Sequence, residues 1–216
     1  MKVDGKVAIV TGGGGGIGGA LVGELTTHGA RVLVADLDAA RAQAVADKFN
    51  SARPGAAVAA GADVSDTTAV RSLISLAERQ FGPVDMHFAN AGVLGTPGLE
   101  ASDADWDRAI DVNLRAHIRA AQLLIPGWVE RGEGYFVSTA SAAGLLTQIG
   151  GATYAVTKHA AVGFAEWLSI SYGDLGIRVS CLCPMGVNTE LLYGGEVRGS
   201  ARRRRYPGGH LRRRGA

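Results

Sequence analysis

The chain has 216 residues, enough for one well-buried core and too few for two comfortable domains. A hydrophobic share of 47% against 19% charged is that of a soluble globular protein, and the 32 glycines follow no collagen-like period. The formal charge of +2 hides an asymmetry: eight arginines and no acid lie between Arg198 and Ala216, leaving residues 1–197 with 14 basic and 20 acidic side chains, a balance of −6.

Apolar runs of strand length alternate with longer helix-period segments, which predicts a parallel sheet with crossover helices. Lys6–Val10 reads as a buried strand, followed by glycines and a helix over Ile17–His28 that Gly29 ends. Arg31–Ala35 is the next strand and Asp38–Phe49 the next helix. Ala56–Gly61 is a weaker strand, and Thr67–Phe81 a helix with Val70, Leu73, Ile74 and Ala77 on one face. Gly82-Pro83 breaks the chain before a strand over Asp85–Ala89. A long helix is predicted from Asp103 to about Ile125, stopped by Pro126-Gly127. Then come a strand over Gly134–Ser138, a helix over Ala152–Tyr172 and a strand over Ile177–Cys183, after which Pro184 ends regular structure. The six strands and their crossovers make an α/β protein with a doubly wound parallel sheet. Residues 1–192 form one domain, and the Gly/Arg-rich segment 193–216 reads as a solvated, disordered tail.

The segment Thr11-Gly12-Gly13-Gly14-Gly15-Gly16-Ile17-Gly18 lies between a predicted strand and a predicted helix. Glycines there let the backbone turn tightly and approach a pyrophosphate, whose charge rests on the helix N-terminus. Asp36 ends the second strand, where a carboxylate accepts hydrogen bonds from ribose hydroxyls and repels a 2′-phosphate. No Arg or Lys occurs in Gly12–Gly19 to neutralise such a phosphate, so the pattern favours NAD over NADP.

With these residues the chain resembles the short-chain dehydrogenase/reductase family. Thr11 to Gly18 is similar to its glycine motif, with Gly12, Gly16, Ile17 and Gly18 at the cofactor and Asp36-Leu37 at the adenosine end. Asp63-Val64 resembles the pair that contacts the adenine. Asn90-Ala91-Gly92 resembles most of the Asn-Asn-Ala-Gly motif, with Ala89 for the first Asn. Asn113 resembles the helix asparagine of the catalytic set, Tyr154 and Lys158 its Tyr-x-x-x-Lys, and Ser141, thirteen residues before the tyrosine, its serine. Pro184, Val187 and Thr189 resemble its Pro-Gly-x-Val-x-Thr loop, with Met185 for the glycine. The match runs collinearly from Lys6 to about Leu192.

The resemblance implies a Rossmann-type fold and hydride transfer between NAD and a secondary alcohol or ketone, with Tyr154 as general acid/base. A free phenol ionises near pH 10, and an ammonium one helical turn away favours its ionised form. Lys158 is implied as that ammonium and as a hook for the nicotinamide ribose, Ser141 as a hydrogen-bond donor to the substrate oxygen, and Asn113 as a holder of a water in a proton relay. Ser138 competes with Ser141 and, at the strand end, is expected to support the cofactor side. The alternative is a relative that binds NAD without turnover. Family members continue with a substrate-covering helix pair and a seventh strand. Residues 193–216 carry no such pattern and resemble an altered or out-of-frame C-terminus.

The substrate is expected to be a small hydrophobic alcohol or carbonyl compound, against a wall of Val93, Leu94, Ala143, Leu145 and Leu146. A homodimer through the two long helices is expected, as family members are oligomers. Gly134–Thr157 carries no charge but is rich in Gly, Ser and Thr, whereas a spanning helix needs about 20 predominantly apolar residues, so no membrane span is expected. The Arg runs lack aromatic interleaving or an amphipathic pattern, so no nucleic-acid partner is expected. Cys181 and Cys183 share a strand face, poorly placed for a disulfide, and read as buried thiols behaving as small hydrophobes. Their low number suits the cytoplasm, and the five histidines show no metal spacing.

Overall fold

In the computed structural model, residues 2–191 are described. The strands are β1 (Val7–Thr11), β2 (Arg31–Asp36), β3 (Ala57–Gly61), β4 (Met86–Ala89), β5 (Gly134–Thr139) and β6 (Ile177–Leu182). They form one parallel sheet in the order β3-β2-β1-β4-β5-β6. This is the doubly wound, Rossmann-type arrangement expected from the alternation of strand and helix. The predicted tail lies outside the described residues.

Side chains on the strands alternate between two cores. Val7, Ile9, Leu33 and Phe136 pack with helices α3 (Thr67–Phe81), α5 (Ala116–Arg131) and α6 (Ala152–Tyr172). Ala8, Val10, Val32, Val34 and Met86 pack on the other face with α1 (Gly16–Thr27) and α2 (Ala39–Asn50). The helix starts are fixed locally: Asp38 accepts from Ala40 N and Arg41 N, and Asp66 accepts from Thr68 N.

The long helix departs from expectation twice. It is interrupted: α4 (Asp103–Ile110), opened by a Ser102–Asp105 capping box, passes into a π-helical turn over Asp111–Arg115 before α5. Nor does it stop at Pro126-Gly127, since α5 runs through Pro126 to Arg131. Pro126 and Gln122, whose carbonyl loses its bond, are both exposed, so water can satisfy that carbonyl. The last turn is then anchored from the buried side, where Trp128 Nε1 donates to Val84 O at 2.7 Å and Arg131 Nη2 donates to the same oxygen at 2.7 Å. Trp128 is therefore a core residue inside the helix, and Gly132 ends it in the left-handed region, φ 68°.

Two histidines lie in the α3/α5 core. His87 on β4 and His117 on α5 line a small cavity of about 10 Å³. His87 Nδ1 and His117 Nε2 have no hydrogen-bond partner among the described residues. Burial pushes His87 down to about 4; burial, and secondarily the nearby Lys158 and His87, push His117 down to about 3. The folded chain thus keeps both rings neutral, while unfolded imidazoles take up protons near pH 6.5. Their contribution to stability is complete above pH 6.5 and is lost as the pH falls toward the folded values. For His87 alone the loss at pH 4 is about 3 kcal/mol. Denaturant unfolding of wild type and His87→Leu between pH 7 and 4 checks this, the variant being expected to lose distinctly less stability.

Candidate active site

Strand order reverses between β1 and β4, and a crevice opens at the carboxyl ends of such strands. The two ends are tied together there. Thr11 Oγ1 donates to Phe88 O at 3.2 Å and accepts from Asn90 N at 3.0 Å, and Asn90 Nδ2 donates to Thr11 O at 3.0 Å. The glycine turn follows. Gly12 adopts φ 64°, and a Cβ on Gly18 would overlap the Gly12 carbonyl oxygen, so backbone meets backbone where α1 begins. The N-terminal N–H groups of α1 receive no side-chain cap. Asp36, at the tip of β2, accepts from Gly14 N at 2.9 Å and from Asp38 N at 3.1 Å. Leu37 beside it is exposed.

The remaining cofactor-side residues divide. Ile17, Pro184 and Val187 join Leu182 and Cys183 around an open crevice of about 390 Å³. Thr189 Cγ2 comes within 3.1 Å of where a Cβ on Gly16 would sit, so the 184–189 loop lies against the glycine turn. Asp63, by contrast, turns its carboxylate to Ser65, whose side-chain and backbone hydrogen bonds hold it below the usual carboxylate range. The Val64 side chain is buried in the core. An uncapped helix start, a glycine turn without side chains and the Asp36 carboxylate fit a dinucleotide's pyrophosphate and ribose.

Sequence reading missed Arg41. The first turn of α2 abuts the glycine turn, and Arg41 Nη2 lies 2.8 Å from where a Cβ on Gly15 would sit. Its Nη1 pairs with Glu190 at 2.7 Å. A cation therefore does stand beside the glycine turn, although none occurs within it. Arg41 lies outside the motif window, so no local signal marks it.

On the other side of the crevice, Asn113 is fully buried in the π-helical turn. Its Oδ1 accepts from Val93 N at 2.9 Å, and its Nδ2 donates to Val93 O at 2.9 Å and to Thr157 Oγ1 at 3.0 Å. Tyr154 and Lys158 stand one turn apart on α6, with Lys158 Nζ 5.6 Å from the Tyr154 ring centre. Lys158 is 2% exposed and donates to Thr139 O at 2.8 Å. Burial pushes its ammonium down to about 8, opposed by the neighbouring Cys181 and Cys183. Gly92 leaves room for two of these groups: a Cβ there would lie 3.2 Å from Asn113 Oδ1 and 3.3 Å from Lys158 Nζ. Ser141 opens a short turn over Ala142–Gly144 and accepts from Ala143 N at 3.2 Å. Ser138 does not face the cofactor side as expected. Its hydroxyl is fully buried against His117 Nδ1 at 2.9 Å, because strand alternation turns it toward α5.

The short chain dehydrogenase family profile matches residues 6–194, nearly the whole described chain. The chain belongs to the short-chain dehydrogenase family. Among curated relatives, D-threitol dehydrogenase of Mycolicibacterium smegmatis is 34% identical over 192 residues, covering 88% of this chain and 74% of that protein. Cyclohexanol dehydrogenase of an Acinetobacter species is 34% identical over 193 residues, 88% of this chain and 76% of its own. Among solved structures, a short-chain dehydrogenase/reductase from Burkholderia phymatum in complex with NAD has a TM-score of 0.86 at 32% identity, over 96% of this chain and 75% of that one. The 3-ketoacyl-(acyl-carrier-protein) reductase of Brucella melitensis, complexed with NADH, has a TM-score of 0.84 at 31% identity, over 88% of this chain and 80% of that one. The chain is thus a family oxidoreductase whose relatives act on CH–OH groups.

In this short-chain dehydrogenase the glycine turn tolerates no methyl at position 18. Gly18→Ala drives Cβ into the Gly12 carbonyl oxygen and within 2.7 Å of Asn90 Nδ2. The expected cost is about 2 kcal/mol or more in unfolding free energy, with loss of nicotinamide-cofactor binding. Gly127→Ala, at an exposed site where nothing lies within reach, is the control and is expected to leave both nearly unchanged.

Proposed function

We propose that the chain interconverts a secondary alcohol and a ketone with NAD(H), using Tyr154 as general acid/base. The observation that carries this reading is the pairing of Tyr154 with the buried Lys158, one helical turn apart beside the crevice. Relatives named for D-threitol, cyclohexanol and (+)-borneol support the secondary-alcohol class. Asp36 at the β2 tip and the neighbours complexed with NAD or NADH support NAD as the partner.

When bound, nicotinamide supplies or accepts the hydride. Every other task falls to the chain. Tyr154 Oη gives a proton to the carbonyl oxygen in reduction or takes it from the alcohol in oxidation. Ser141 donates a hydrogen bond to the same oxygen and stabilises charge there. Lys158, fixed by the Thr139 carbonyl, places positive charge behind the phenol. Asn113 has spent both side-chain N–H groups on Val93 and Thr157, so a relay water would rest on its Oδ1 or on a main-chain carbonyl of the π turn. Leu145 and Leu146, just after the turn that Ser141 opens, are exposed and support an apolar substrate body.

Tyr154→Phe is expected to lower kcat by about 10³-fold with secondary alcohols while NADH binding persists; equal turnover would sink the assignment. Wild type is expected to prefer NAD over NADP, and Asp36→Ala to narrow that preference by admitting a 2′-phosphate beside Arg41. A binding ratio unmoved by Asp36→Ala would remove the carboxylate from the specificity role.

A homodimer through the long helices is part of the same reading. On α6, Val156, Trp167 and Ile170 present apolar surface, Ile170 with 84% of its area exposed. Sedimentation is expected to give a dimer for wild type and a monomer for Ile170→Glu; a monomeric wild type would refute it.

A further inference from the structure

The chain leaves β6 past Cys181 and Cys183, which are partly exposed rather than buried as their apolar run suggests. The loop that follows crosses to the glycine turn, where Thr189 lies against Gly16. Glu190 comes next, and its Oε2 lies 2.7 Å from Arg41 Nη1. Arg41 in turn lies along the glycines. A Cβ on Gly14 would meet Arg41 Cβ and Asp36 Oδ2, each at 2.8 Å, and a Cβ on Gly15 would meet Arg41 Nη2 at 2.8 Å. One cation and two carboxylates therefore converge on this stretch of the turn. The carboxylates are not equivalent. Asp36 is held by the main-chain N–H groups of Gly14 and Asp38, whereas Glu190 takes the guanidinium.

A guanidinium fork matches a phosphate as well as it matches a carboxylate. The turn thus carries a cation suited to the 2′-phosphate of NADP, in a chain whose Asp36 favours NAD. We propose that Glu190 is a specificity-determining residue: it occupies Arg41, denies it to a 2′-phosphate, and adds a second negative charge to that of Asp36. The proposal rests on the reading that a nicotinamide dinucleotide binds at this turn. A 2′-phosphate has to displace the Glu190 carboxylate from Arg41 and then lie within a Debye length of it, about 8 Å at physiological ionic strength. The uncharged ribose hydroxyl of NAD leaves the pair intact. The two side chains are 45% and 69% exposed, so their pairing contributes little to folding and can be altered without loss of structure. For the same reason its effect on a dianion is modest, about fivefold to tenfold in affinity.

Calorimetry of NADP⁺ and NAD⁺ binding to wild type, Glu190→Gln, Arg41→Gln and the double variant tests this. Glu190→Gln removes the charge and keeps the size of the side chain. It is expected to raise the ratio of NADP⁺ to NAD⁺ affinity by about fivefold to tenfold, a rise that shrinks to about twofold when Arg41 is also replaced. Adenosine 2′,5′-bisphosphate against 5′-AMP is expected to give the same ranking, and the effect to fade at high salt. If Glu190 only held the loop in place, its replacement would weaken both dinucleotides together and leave the ratio where it was. A ratio unmoved by Glu190→Gln, or raised equally with Arg41 replaced, would overturn the proposal and leave the dehydrogenase reading standing. A wild type that is folded by circular dichroism yet binds neither dinucleotide would overturn both.

Discussion

The site is organised around one buried interaction, the Lys158 ammonium donating to the Thr139 carbonyl. A 2%-exposed ammonium is disfavoured by desolvation, and the carbonyl dipole at the end of β5 is what it receives in place of water. That bond ties α6 to β5 at the mouth of the crevice. Its surroundings are built to let the two come close. Gly144 lies against the Lys158 main chain, where a Cβ would sit 2.5 Å from the Lys158 carbonyl oxygen, and Gly92 leaves space beside Nζ. Gly144 lets backbone meet backbone, and Gly92 leaves room for the ends of the Lys158 and Asn113 side chains.

Three further groups of hydrogen bonds fix the neighbouring strand ends and turns. Asn113 links the π-helical turn to Val93 after β4 and, through Thr157, to α6. Asn90 and Thr11 join β4 to β1, and Asp36 brings β2 to Gly14. The glycine turn and the Lys158 face are thus each fixed by their own bonds, although they come from distant stretches of sequence.

What was legible in the sequence was what short-range patterns encode. Val70, Leu73, Ile74 and Ala77 point inward as their spacing dictates, and the glycine turn and Asp36 meet as the strand–turn–helix pattern requires. Tyr154 and Lys158 were marked by their resemblance to the family's Tyr-x-x-x-Lys motif, and helical spacing puts them on one face. What was not legible depends on partners far away. Pro126 suggests a stop, yet the helix continues because Val84 anchors Trp128 and Arg131 from the other side. The π turn at Asn113 has no local marker; it accompanies three side-chain bonds to Val93 and Thr157. Arg41 reaches the glycine turn, and Glu190, across a loop that no periodicity describes. Ser138 looked like a cofactor residue by its place at a strand end, but strand parity sends it to His117.

The division of labour follows from which face each residue occupies. Lys158, Asn113, Ser138, His117 and the two cysteines all belong to the α3/α5/α6 side of the sheet, which accounts for its polar interior. The opposite side of β6 presents Arg178 and Leu182, both exposed, and contributes nothing to the bonds around Lys158. The apolar residues open to solvent, Leu145, Leu146, Ile149 and Met185, likewise make none of those bonds. The bonded polar positions are therefore largely buried, whereas the exposed apolar ones are free to vary without disturbing those bonds. The exposed apolar wall can change on this scaffold while the bonds of Lys158, of Asn113 and of the glycine turn stay in place.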